Sequence, residues 1–92
     1  MPLKDQLQQD LKTAMKEGNA RKRDTLRMLA SAIKNKEIEK RGELTGEELQ
    51  MVLKKEIKNR TKAIELFRQG GRQDLIDQYA SEIKILETYA AH

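Results

Sequence analysis

Apolar residues spaced three and four apart, in runs that stop at glycine, constrain this chain more than any other feature. Leu3, Leu7, Leu11, Ala14 and Met15 form the first run, and Gly18-Asn19 follows it. Leu26, Leu29, Ala32 and Ile33 form the second, closed by Gly42. The third holds Leu49, Val52, Leu53, Ile57, Ile64 and Phe67, and ends at Gly70-Gly71. The last starts near Arg72 to Asp74 and carries Leu75, Ile76, Tyr79, Ile83, Leu86 and Tyr89 or Ala90. This spacing gathers side chains on one face of an α-helix. Glycine and asparagine suit the left-handed residue that follows a helix.

The spacing therefore predicts four helices, the second over about residues 21–41. The third start is the best marked: Thr45-Gly46-Glu47-Glu48 reads as a capping box, with Leu44 and Leu49 placed as a hydrophobic staple. The linkers are short, which favours antiparallel neighbours. The expected fold is all-α, a four-helix bundle-like domain in which helices two and three form a long central hairpin, each about 30 Å long. Residues 1–92 are read as one domain, since 92 residues can bury a modest core. Val52 is the only valine, so strands are not expected. Pro2, the one proline, stands where it interrupts nothing.

Several chemistries are excluded by residue type. There is no cysteine, so disulfides and thiolate metal sites are absent. No apolar run is long enough to span a bilayer, and the first residues lack the basic and apolar blocks of a secretory signal. A cytoplasmic location is the resulting expectation, with no membrane partner. The single histidine, His92, is terminal and has no fixed neighbours to orient it. Ser31 and Ser81 lack an adjacent activating base. Glu37 and Glu39 fall on different faces of a helix, and Glu47 and Glu48 are explained by capping. Gly70-Gly71-Arg72 lacks the lysine and preceding strand of a phosphate-binding loop and reads as a helix stop. No catalytic residue, cofactor or metal is expected.

Charge is the remaining signal. The net charge is +4, and residues 21–41 carry eight basic and three acidic side chains. On helix two, Arg23, Arg27, Lys34 and Arg41 fall on one side, away from Leu26, Leu29 and Ile33. On helix three, Lys55, Lys58 and Lys62 lie opposite the apolar line. Such stripes suit a phosphate backbone. From the pattern alone a solvated helix face is the favoured reading. Phe67, Tyr79 and Tyr89 are the only aromatics, too few for a reader of single-stranded bases. Arg60 differs from the other cations: it projects near the apolar face between Ile57 and Ile64, where its stem packs or its head meets an acid of another helix.

Two blocks carry a family resemblance. Arg23-Asp24-Thr25-Leu26-Arg27-Met28-Leu29 runs on into Ala32-Ile33-Lys34-Asn35-Lys36-Glu37-Ile38-Glu39, and Gly71-Arg72-Gln73-Asp74-Leu75 precedes the spaced Glu82-Ile83 and Leu86-Glu87-Thr88-Tyr89. With the opening Leu3-Lys4-Asp5-Gln6-Leu7, they resemble the YqeY-like proteins, the GatB/YqeY domain family. The resemblance implies a helical bundle followed by a smaller helical tail. It also implies a relation to the tail of the B subunit of the tRNA-dependent Asp/Glu amidotransferase, a region that helps hold tRNA while the chemistry lies elsewhere. The family pattern continues after the tyrosine with Leu-Pro and a tail of about 50 residues, the low end of domain size. After Tyr89 this sequence has Ala90-Ala91-His92, so the expectation is the N-terminal helical domain without that tail.

The leading functional expectation is a non-catalytic domain that binds tRNA or another structured RNA through Arg23, Arg27, Lys34, Arg41, Lys55, Lys58 and Lys62. The alternative is a helical module whose partner is a protein, such as an amidotransferase or synthetase subunit. Carbon–nitrogen ligase activity, the label the family tends to inherit, ranks last.

Overall fold

Four apolar lines of this kind are stable only when packed on one another, because each helix alone leaves its apolar face in water. The computed structural model describes residues 3–91; the expectations placed on Pro2 and His92 lie outside them. Within those residues the chain forms α1 (Leu3–Glu17), α2 (Ala20–Lys40), α3 (Gly46–Gln69) and α4 (Gln73–Glu87), with no strand. The all-α expectation is met, and α2 and α3 are the two longest helices.

The helix ends follow the local chemistry. Gly18 adopts φ 70° after α1. The Asn19 side chain then accepts from the Lys22 N–H, so a two-residue link ends one helix and caps the next. The capping box before α3 is complete: Thr45 Oγ1 accepts from the Glu48 N–H at 3.2 Å, and the Thr45 N–H donates to Glu48 Oε1 at 2.8 Å. Thr45→Ala is expected to cost about 1 kcal/mol, while Thr45→Ser keeps most of the cap. Urea denaturation of the two variants measures this.

Gly42 closes α2 as expected, together with the residue before it. Arg41, and not Gly42, takes the left-handed conformation, with φ 62° and ψ 43°. Its N–H donates to the Ile38 carbonyl and the Gly42 N–H to that of Glu37, which together close the helix in a Schellman arrangement. Gly42 is thus the residue after the left-handed position. The strain of an L-residue there, about 1–2 kcal/mol, is offset by the two satisfied carbonyls.

Leu7, Ala14, Leu26, Leu29, Ile33, Leu49, Val52, Leu53 and Leu86 are buried. Leu44 packs against this core just before the α3 cap, as a staple residue should. Met15, counted in the first apolar line, is exposed. The pairing of helices also differs from a central α2–α3 hairpin. The closest partners are α3 with α4 and α1 with α2, while α2 meets α3 and α4 over shorter stretches. The molecule is two sequential hairpins laid together, and the α2–α3 seam is left partly open.

Three polar ties fix this arrangement. Arg60 of α3 is buried, its Nε 2.9 Å from Glu82 Oε1 of α4 and its Nη1 3.1 Å from Glu56 Oε1. Gln78 donates to the other oxygen of Glu82. Beyond α4, Tyr89 donates its hydroxyl to Asp10 of α1 at 2.5 Å. Burial, and then this carboxylate, push the Tyr89 hydroxyl pKa well up, so it stays protonated. Gln50 grips the same segment by its backbone, donating to the Tyr89 carbonyl and accepting from the Ala91 N–H.

Candidate nucleic-acid interface

A surface that binds phosphate needs cations that no carboxylate of the same molecule already engages. The basic residues divide on this criterion. Arg23 is half-buried, and its Nε lies 2.9 Å from Asp24 Oδ1. Asp24 is held below the ordinary carboxylate pKa by that bond, so Arg23 is largely spoken for. Arg27 is exposed, with its Nη2 4.0 Å from the Met15 sulfur of α1. Lys34 lines the cleft between α1 and α2 beside Lys4 and Gln8. Arg41 is exposed at the left-handed turn.

Lys55, Lys58 and Lys62 are exposed along α3. Lys54 is exposed too and extends the row by one residue. Among the described residues none of these four lysines forms an ion pair, whereas Lys4, Lys36 and Lys40 each hold a glutamate. The row covers about 12 Å of helix, at 1.5 Å per residue. Sequence reasoning left Lys54 out because it sits to one side of the stripe. Its spacing of four from Lys58 was the available signal.

The two stripes border different grooves. Lys34 stands at the α1–α2 cleft and Lys55 at the α2–α3 groove, so these two lie on opposite flanks of α2. The structure gathers the α3 lysines into one row and does not merge them with Arg23, Arg27 and Lys34.

The acidic residues weighed for chemistry have structural work. Glu37 pairs with Lys4 at 2.9 Å and accepts from the Leu44 N–H; the lysine, and then that amide, hold its pKa below the usual range. Glu48 belongs to the capping box and is lowered chiefly by Lys40. Gly70 and Gly71 close α3, with the Gly70 N–H donating to Leu66 and the Arg72 N–H to Phe67. Phe67 packs edge-on against Tyr79, centroids 5.0 Å apart, which ties α3 to α4 and removes both rings from any stacking role. Among the described residues no group of three or more acidic or imidazole side chains is placed to hold a metal ion, and no helix is long and apolar enough to cross a membrane.

Comparison with known proteins places this geometry in context. A family model described as Yqey-like protein matches residues 4–92. The chain is 42% identical over 84 residues to "Altered inheritance of mitochondria protein 41, mitochondrial" of Kluyveromyces lactis, an alignment that covers 90% of this chain and 45% of that protein. The protein of the same name from Eremothecium gossypii is 36% identical over 86 residues, covering 92% of this chain and 47% of the relative. That of Lachancea thermotolerans is 39% identical over 84 residues, covering 90% and 45%. The chain spans about half the length of the curated relatives it matches. Their names correct the cytoplasmic expectation, since these relatives are mitochondrial proteins. The physical reason is plain: a lack of cysteine and of apolar spans fits the interior of an organelle as well as the cytoplasm.

Proposed function

The chain belongs to the family of YqeY-like proteins, and from that premise we propose that it is a non-catalytic helical domain that binds structured RNA, of the tRNA type, along the outer face of α3. One observation carries the reading: Lys54, Lys55, Lys58 and Lys62 are exposed in a row, and none is neutralised by an ion pair among the described residues. The family's relation to the tRNA-holding tail of an amidotransferase subunit adds support. The absence of catalysis rests on engagement: Glu37, Glu48, Glu56 and Glu82 each answer a cation or a cap, and none faces a nucleophile. Arg27 and Lys34, on the other flank of α2, serve as a second and weaker contact.

Binding of unmodified tRNA across a salt series tests this. Each phosphate neutralised releases counterions, so four contacts predict a logarithmic slope of about −3 to −4. Reversing Lys54, Lys55, Lys58 and Lys62 to Glu abolishes binding, while circular dichroism stays that of the parent, because glutamate is as good a helix former as lysine. Reversing Arg27 and Lys34 alone weakens binding only partly. Unchanged affinity in the α3 variant, or no binding by the parent at low salt, removes RNA from the function.

A further inference from the structure

The open seam between α2 and α3 is a groove of about 550 Å³, within the range of about 300–1,000 Å³ typical of binding clefts. Its floor is apolar, made by Leu44 and Val52, and Met51 stands at its edge. Met51 is 69% exposed, a large flexible side chain held in water at the lip. Methionine in such a place adapts to an incoming apolar surface. Lys36 and Lys40 rim the groove from α2, and Lys55 from α3. The two carboxylates on the rim are occupied: Glu39 lies 3.1 Å from Lys36, and Glu48 is held by Lys40 and by the Thr45 N–H. Lys55 keeps an unanswered charge, with Lys54 and Lys58 beside it on α3. With Lys36 and Lys40 paired, the unanswered charge of Lys55 favours a negative group at that edge, and the floor favours an apolar one.

From this combination we infer that the α2–α3 groove docks an acidic amphipathic helix of a partner protein. Its apolar stripe covers Met51 and Val52, and its carboxylates meet Lys55, the one rim lysine that no glutamate answers among the described residues. A helix suits the site because the groove runs between two helices, where the ridge of a third can lie, and because no strand is present among the described residues to receive an extended peptide. Nucleic acid does not suit the floor: no aromatic side chain lines it, so bases have nothing to stack on. The inference shares Lys55 with the RNA reading and differs from it at Met51, from which RNA takes no contact.

A synthetic amphipathic peptide of about five turns, with leucines on one face flanked by glutamates, is the probe. Fluorescence anisotropy on the labelled peptide measures its binding to the full chain. The acidic peptide binds, its counterpart with lysine in place of glutamate does not, and polyglutamate fails to displace it. Met51→Glu weakens the acidic peptide by about tenfold or more, because it removes an apolar contact at the lip and sets a like charge against the peptide's glutamates. Leu66→Glu, an equal charge change on α3 at a position 66% exposed and outside the groove, leaves affinity within about twofold. Both sites are solvent-facing, so neither variant threatens the fold. The inference is overturned if the parent does not bind the acidic peptide, if the charge-reversed peptide binds equally, or if Met51→Glu and Leu66→Glu act alike. It is also overturned if Met51→Glu reduces tRNA binding as much as peptide binding, since the groove would then read RNA.

Discussion

Arg60→Ala is expected to lower the unfolding free energy by about 3–5 kcal/mol, the largest single effect this structure predicts for a polar residue. Arg60 is only 5% exposed, and it faces Glu82, which is buried as well. Removing the guanidinium leaves Glu82 in the interior with Gln78 as its remaining polar neighbour. The loss is thus the penalty of an unpaired buried charge, added to the space left by a long side chain. Arg60→Lys recovers little, because an ammonium has no fork to reach Glu82 and Glu56 together. Replacing the pair at once, Arg60→Met with Glu82→Leu, should cost far less than either single change, since desolvation and attraction disappear together. Denaturant midpoints of the three variants decide the matter. A cost below about 1 kcal/mol for Arg60→Ala would mean that the site opens to water.

Leu29→Ala and Leu53→Ala should each cost about 2–5 kcal/mol. Both side chains are 1% exposed and belong to one cluster, from α2 and α3 respectively. Truncation removes the apolar area and leaves a cavity that stiff helix backbones close only in part. Because the two belong to one buried cluster, the double variant should depart from the sum of the singles by at least about 0.5 kcal/mol. Leu66→Ala, on the solvent side of α3, is the reference and should stay within about 0.5 kcal/mol of the parent.

The helices and their faces were legible because periodicity and caps are local signals. Leu29 and Leu53 stood on the apolar lines, and the capping box at Thr45 needs only four adjacent residues. Arg60 was half legible: its place between Ile57 and Ile64 marked it as unlike the other cations, but a partner 22 residues away on α4 is a tertiary fact. Helix pairing was not legible, since an amphipathic face states that a helix is covered and not by which neighbour. Gly42 was legible as the close of α2, and the left-handed turn at Arg41 was not, because a Schellman closure draws on the amides of two successive residues and glycine marks only one of them. At the candidate interface, each lysine could be read as outward-facing. That the α2 and α3 stripes border different grooves depends on how the hairpins meet, which no local pattern encodes. Gln50 gave no signal at all, as its partners are backbone groups about 40 positions further on.

The hydrogen bond from Tyr89 to Asp10 bears on how the molecule assembles in time. Most of its contacts lie within hairpins of neighbouring helices, a topology of low contact order, which places helical domains in the microsecond-to-millisecond range of folding. The Tyr89–Asp10 tie joins positions 79 apart and closes nearly the whole chain into a loop. It gains nothing until both hairpins stand and have docked, so it belongs to the native side of the transition state. Interactions that form after the barrier slow unfolding and leave the folding rate almost untouched. This one bond therefore acts as a clasp on the lifetime of the folded state, holding the two hairpins shut once each has formed by itself.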